Sequence, residues 1–188
     1  MSWYSKVAWT EGLFLRPHHL QQNDRYHEHA LESRVRYVTP YPWGFSHLEI
    51  DRDLAQQSKF ALRRASGIMP DGTPFDIPGD SPLPAPIIVP DTASQQIAYL
   101  SMPVAAANMR EADDRESDSA ARFMIGAETF IDSTSSLRIE EEIDVAFPRL
   151  GFELRKTAKP GYIGLGIGRI LEVRDKQIVF DEKYVPPF

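Results

Sequence analysis

Hydrophobic positions along this chain follow two different spacings. Between Pro17 and about Val35 the sequence lacks glycine and further proline, and Leu20, His27, Leu31 and Val35 fall on one side of a helical period, with Asp24 interrupting the stripe. The pattern predicts one amphipathic helix. Pro17 suits the first helical position, where its missing N–H would have no partner in any case. Pro40 and Pro42 exclude helical geometry just ahead of them, which sets the helix within 17–38.

Beyond that point the period changes to two. Trp43–Ile50 and Phe60–Ile68 read as strands, the second followed by a Pro70-Asp-Gly-Thr73 turn. Seven of the fifteen prolines lie between Pro70 and Pro90, which predicts an extended connection skirting the surface. Pro86–Pro90 and Ile97–Met102 are short buried strand candidates, and charged Met109–Ala120 reads as an exposed loop or short helix. Phe123–Ile131, Phe152–Leu154 and Tyr162–Val173 resume strand character, and Asp175-Lys176 turns the chain into Gln177–Phe180. The clearest alternation sets Leu137, Ile139, Ile143, Val145 and Phe147 on one face and Arg138, Glu140, Glu142 and Asp144 on the other, broken only by Glu141. Roughly eight short strands follow one helix with no helices between them, so the expected fold is mainly β, an antiparallel β-sandwich.

Composition narrows the chemistry. In 188 residues, 42% are hydrophobic and 26% charged, enough for one folded domain with or without an appendage. The net charge of −6 gives no basic face for nucleic acid or an anionic membrane. There is no cysteine, which excludes disulfides and thiolate metal sites. No signal peptide is visible, and no stretch approaches the about 18 apolar residues that span a bilayer, so a soluble, cytoplasmic protein is expected.

The candidate catalytic and metal-binding patterns are weak. His18, His19, His27 and His29 lack the three- or four-residue spacing of a helical metal pair, and surface histidines are the better reading. Glu140, Glu142 and Asp144 could suggest paired carboxylates, but the strand period already explains them as a solvent face that also discourages edge pairing. Gly164-Leu-Gly-Ile-Gly168 lacks the spacing and following helix of a phosphate loop; within a strand such glycines mark a bulge or close packing. No nucleophile elbow is present. Neither enzyme activity nor a cofactor is expected.

What survives is the N-terminal segment. Val7, Trp9, Leu13, Phe14 and Leu15 form an apolar extended run that ends at Pro17. Such a run packs under its own domain or buries itself in a partner, and the residue types alone leave both open.

The residues themselves are more specific. Trp9-Thr-Glu-Gly-Leu-Phe-Leu-Arg-Pro-His-His-Leu-Gln-Gln-Asn-Asp-Arg-Tyr26 resembles the opening signature of the TssK family, the type VI secretion baseplate subunit. Tyr41-Pro-Trp-Gly-Phe45, Leu48-Glu-Ile-Asp51, Pro70-Asp-Gly-Thr73, Phe75-Asp76, Leu83-Pro-Ala-Pro86 and Tyr184-Val-Pro-Pro187 agree in order. The departures are mild: Leu13 replaces the usual methionine, His18 a glutamine and Leu20 a phenylalanine. Gly164, Gly166 and Gly168 replace a Leu-Pro-Ile-Ala-like pattern.

That resemblance implies a shoulder domain similar to those of phage receptor-binding proteins. Its expected parts are an extended arm at 1–16, the helix at 17–38, a sandwich at 39–182, and at 183–188 the start of a linker to a helical bundle and head. It also implies a trimer at the cytoplasmic face of the inner membrane. The shoulder would attach to the wedge proteins TssF and TssG, and the head to the membrane complex. Trp9, Glu11, Gly12, Leu13, Phe14, Leu15, Arg16 and Pro17 are the expected partner-binding residues. Trp9, Phe14 and Leu15 would insert, Gly12 would let the backbone turn or approach closely, and Glu11 and Arg16, with Asp24 and Arg25, would supply pairing charges. The alternative is a glycan- or receptor-binding sandwich in which Trp3, Tyr4 and Trp43 stack on sugars.

Overall fold

In the computed structural model the predicted helix runs from Pro17 to Val38 (α1). Residues 3–107, 109–114, 120–134, 138–155 and 159–188 are described. The chain divides into two compact units, Met1–Pro42 and Trp43–Phe188. In the first, Arg16 holds an extended backbone (φ −132°, ψ 156°) before Pro17 starts the helix. Its N–H donates to His19 Nδ1 at 3.1 Å, the half of a capping box that needs no acceptor on the Arg16 side chain. At the other end the Thr39 N–H donates to the Val35 carbonyl at 2.9 Å, and Pro40 lets the helix go no further. No residue of α1 is buried. The predicted stripe of Leu20, Leu31 and Val35, continued by Val38, is bare.

The second unit is mainly β. A three-stranded antiparallel sheet has the order β1 (Gly44–Ile50), β3 (Leu62–Ile68), β4 (Pro74–Ile77). A four-stranded antiparallel sheet has the order β10 (Gly151–Arg155), β6 (Gln96–Pro103), β11 (Tyr162–Arg174), β12 (Gln177–Phe180). One hydrophobic cluster joins Phe45, Leu62, Ala65, Phe75 and Ile77 of the first sheet to Leu100, Met102, Leu165, Ile167 and Ile170 of the second. Two sheets sharing their inner faces make the predicted sandwich. Asp175 and Lys176 both take positive φ, as a tight hairpin turn between β11 and β12 requires.

Several expectations need correction. The proline-rich connection does not merely skirt the surface, because Phe75 and Ile77 of β4 and Ser81 are buried. Phe60–Ile68 is two strands, β2 (Lys59–Phe60) pairing with β5 (Ile87–Ile88), then β3. In the Pro86–Pro90 candidate, Val89 is buried but Ile88 is exposed. A short helix α2 (Arg52–Ala55) went unforeseen; Asp51 caps it, its carboxylate accepting from the Asp53 and Leu54 N–H groups at 3.0 Å each. The charged stretch after Met109 contains a strand, β7 (Ala112–Asp114), paired in parallel with β8 (Phe123–Ile131). Residues 115–119 of that stretch lie outside the described residues.

β8 pairs antiparallel with β9 (Glu140–Pro148). The period-two pattern of β9 is present, but its apolar face is not all interior: Ile139 and Ile143 are exposed, and Leu137 lies outside the described residues.

Two further features tie the second unit together. Buried Arg122 donates to the Pro103 carbonyl at 3.0 Å and to the Asp71 carboxylate and the Thr73 hydroxyl, fastening the turn before β4 to the end of β6. The glycines of β11 do what strand glycines were expected to do. The ladder to β6 shifts register between Gly166 and Gly168, and a Cβ at Gly166 would lie 2.0 Å from the Tyr184 hydroxyl. Tyr184 belongs to a tail, residues 181–188, that returns over the sheets: Arg169 pairs with Asp181 at 3.5 Å, and the Phe45 N–H donates to the Pro187 carbonyl at 2.8 Å.

Candidate partner-binding site

The arm, residues 3–16, is laid along α1, and the Gln22 side chain ties the start of its backbone to the helix. Gln22 Nε2 donates to the carbonyls of Trp3 at 2.9 Å and Ser5 at 2.8 Å. Rings and cations extend the contact. Tyr4 stacks on His29 with centroids 3.9 Å apart, Arg25 sits over the Trp3 ring at 5.6 Å, and Lys6 over Tyr26 at 5.9 Å. Arg25 also donates to Gln22 Oε1 at 3.0 Å. Residues 18, 22, 25 and 29 form one side of α1, opposite the Leu20–Leu31–Val38 stripe. The arm therefore covers the polar side of the helix and leaves the apolar side bare. An open crevice of about 510 Å³ remains between arm and helix, lined by Val7, Ala8, His18, Gln22 and Arg25 among others.

Past the clamped segment the arm reverses. The Leu13 N–H donates to the Thr10 carbonyl at 3.2 Å, and Gly12 takes φ +79°. Nothing lies within 4 Å of the position a Gly12 Cβ would fill, so backbone conformation, not a close approach, calls for glycine there. The turn presents the large side chains outward: Trp9 is 53%, Phe14 78% and Leu15 55% exposed. Leu13 is half-buried, and Glu11, Arg16 and Pro17 are exposed. The Trp9 ring lies 6.4 Å from that of His19, and the Arg16 guanidinium 5.9 Å from the Phe14 ring centroid. The expected site residues thus form one contiguous segment ending at the helix N-terminus. Of the expected pairing residues, Arg25 is used within the arm clamp and Asp24 is exposed.

Gln22 is the residue that sequence reasoning missed. A glutamine on a polar helix face carries no signal until the direction of the arm is known. The rings proposed to stack on sugars are engaged elsewhere: Trp3 under Arg25, Tyr4 on His29, and Trp43 half-buried against the core. His19 Nδ1 accepts from the Arg16 backbone, and no group of three or more metal-ligating side chains occurs among the described residues. Glu140, Glu142 and Asp144 share one face of β9 and are all exposed. No helix among the described residues is long and apolar enough to cross a membrane.

The described residues present an antiparallel sandwich and a helix-borne arm with outward aromatic side chains, an architecture that known proteins share. Residues 19–188 match the bacterial type VI secretion family that includes VasE, ImpJ and EvfL. The whole chain aligns at 38% identity over 192 residues with type VI secretion system baseplate component TssK1 of Pseudomonas aeruginosa, covering 43% of that protein. A crystal structure of TssK superposes with a TM-score of 0.89 at 33% identity, over 97% of this chain and 42% of the other. A TssK–TssF–TssG baseplate subcomplex determined by cryo-electron microscopy matches with a TM-score of 0.86 at 22% identity, over 98% of this chain and 62% of the other, a likeness of fold. The chain belongs to the TssK family, a family of structural baseplate components, and spans less than half the length of its curated relative.

Proposed function

We propose that this chain is the part of a type VI secretion baseplate adaptor that attaches to the TssF–TssG wedge, and that residues 9–17 make the attachment. The observation that carries this reading is the placement of Trp9, Phe14 and Leu15: more than half exposed, on a segment whose root is clamped to α1 by Gln22. Large apolar side chains held out at a fixed position bind without a heavy ordering cost. Burying each contributes about 1.5–3 kcal/mol before that cost is subtracted. TssF and TssG are named as the companions of TssK in a related assembly, which makes them the first partners to test. The same reading includes self-association as a trimer, for which the bare Leu20–Leu31–Val35–Val38 stripe of α1 is the supporting surface. It also sets the protein at the cytoplasmic face of the inner membrane, with docking on the membrane complex left to a head domain outside these residues.

The test is co-purification with a co-expressed TssF–TssG wedge. Trp9→Ala with Phe14→Ala should abolish capture while the melting transition of the sandwich stays in place. Undiminished capture by the double variant would remove the arm from the interface. A lost melting transition would return these side chains to the protein's own packing.

A further inference from the structure

The joint between the arm and α1 depends on an imidazole. A helix usually opens on a serine, threonine, aspartate or asparagine, whose side-chain oxygen accepts from the first turn. Arg16 carries donors only, so its side chain cannot play that part, and Pro17 removes one of the donors that would have called for it. The joint is closed from the other direction. The His19 N–H donates to the Arg16 carbonyl at 2.9 Å, and the Arg16 N–H donates back to His19 Nδ1 at 3.1 Å. The Arg16 N–H lies in the plane of the Leu15–Arg16 peptide, so holding it sets the direction in which the chain leaves the helix towards Leu15 and Phe14. His19 is half-buried, and the Trp9 ring lies 6.4 Å from its own. One side chain therefore meets both ends of the segment that holds its aromatic rings outward.

Accepting at Nδ1 requires a neutral imidazole with its proton on Nε2. A protonated ring donates from both nitrogens and cannot hold the Arg16 N–H. The first turn of α1 has no acidic residue to take the charged ring instead. The crevice that His19 helps to line holds His18, Gln21, Gln22 and Arg25 from the helix and Val7 and Ala8 from the arm, with no carboxylate among them. Arg16 at the cap is a cation lying by the Phe14 ring, Lys6 lies over Tyr26, and Glu11, the one carboxylate of the arm, is exposed in the turn.

We infer that His19 is a positioning residue of the partner-binding segment: neutral, it fixes the exit of residues 9–16 from α1, and protonation releases that exit. The inference deepens the reading of residues 9–17 given above and rests on it for the partner. An imidazole changes charge between about pH 5 and pH 8, so the fixed presentation of Trp9, Phe14 and Leu15 weakens as pH falls through that range. A single hydrogen bond of this kind shifts an equilibrium by about two- to tenfold, which sets the loss to expect.

Two measurements on the whole chain test this. In amide NMR spectra recorded from about pH 8 to about pH 5.5, the range in which imidazoles titrate, the Arg16 resonance should move with the His19 ring, and in His19→Gln it should stay still. Glutamine is a usual capping-box residue at this position, and its amide oxygen accepts at either pH. Binding of the unmodified chain to purified TssF–TssG wedge should weaken by about two- to tenfold over the same range. His19→Gln should match the unmodified chain at the upper pH and lose the pH dependence. His19→Ala should bind weakly throughout, and His18→Gln should behave as the unmodified chain does; circular dichroism confirms that each variant folds. An Arg16 amide that ignores the His19 titration would overturn the inference whatever the wedge does. Equal loss of binding at low pH in the unmodified chain and in His19→Gln would overturn it as well. An Arg16 amide that titrates as expected, in a chain the wedge never captures, would remove the wedge reading and leave the positioning role in place.

Discussion

Replacing Gln22 by alanine should release the arm without touching the sandwich. The substitution keeps a strong helix former at that position. It removes two hydrogen bonds, to the Trp3 and Ser5 carbonyls, together with the acceptor that holds Arg25 over the Trp3 ring. One of the two carbonyl bonds is partly buried and the other exposed, so each contributes toward the low end of the usual range, about 0.5–1 kcal/mol. Together they are worth about 1–2 kcal/mol, or roughly 5- to 30-fold in the population of detached arm. Limited trypsin digestion reads this directly. Lys6 is the cleavable site within the arm, because Arg16 is followed by Pro17. When opening and closing are fast against cleavage, the rate tracks the open population. Cleavage after Lys6 should accelerate by that factor in Gln22→Ala and stay unchanged in Asp24→Ala, whose side chain is exposed on the same helix. An unchanged rate in Gln22→Ala would mean that other contacts hold the arm, and the clamp argument would fail.

Other perturbations probe the body. Gly67→Ala should cost at least about 3 kcal/mol in urea unfolding, because its Cβ would lie 2.1 Å from the Gly44 carbonyl oxygen, a backbone atom that cannot step aside. Arg122→Met leaves the partly exposed Asp71 carboxylate without its guanidinium and should cost about 1.5–3 kcal/mol, partly recovered when Asp71→Asn is added. The Asp51 carboxyl is held below the usual carboxylate range, first by the Leu54 N–H and then, against some desolvation, by Arg63 and the Asp53 N–H. A carboxyl depressed in the folded state stabilises above its unfolded pKa and loses that contribution as pH falls through the folded value. Asp51→Asn should therefore be less stable than the unmodified chain at neutral pH, with the difference closing on acidification; a constant difference would refute the assignment.

How much of this was legible in the sequence depended on whether a feature is local. The limits of α1 are written in Pro17 and Pro40, and the β11–β12 turn in Asp175-Lys176, because each is a backbone preference of a few neighbouring residues. The glycines of β11 signalled close packing, although nothing in their spacing names Tyr184 as the side chain that packs there. β9 shows the limit of pattern reading. Alternation sorted its residues correctly onto two faces but could not say that the apolar face would be wet past Val145, since burial depends on what lies opposite. The strand β7 was missed because its charged residues resemble a loop until β8 is placed alongside, and Gln22 because its role exists only once the arm lies on the helix.

The returning tail has a mechanical consequence. A force applied to the chain at Phe188 does not arrive first at the β12 edge, where strands would peel one bond at a time. It meets the Phe45–Pro187 bond, then the Tyr184 ring lodged against Gly166, then the Arg169–Asp181 pair, and only afterwards the β11–β12 ladder. The last eight residues act like the strain relief on a cable, spreading tension over β1 and β11 before it can open the sheet.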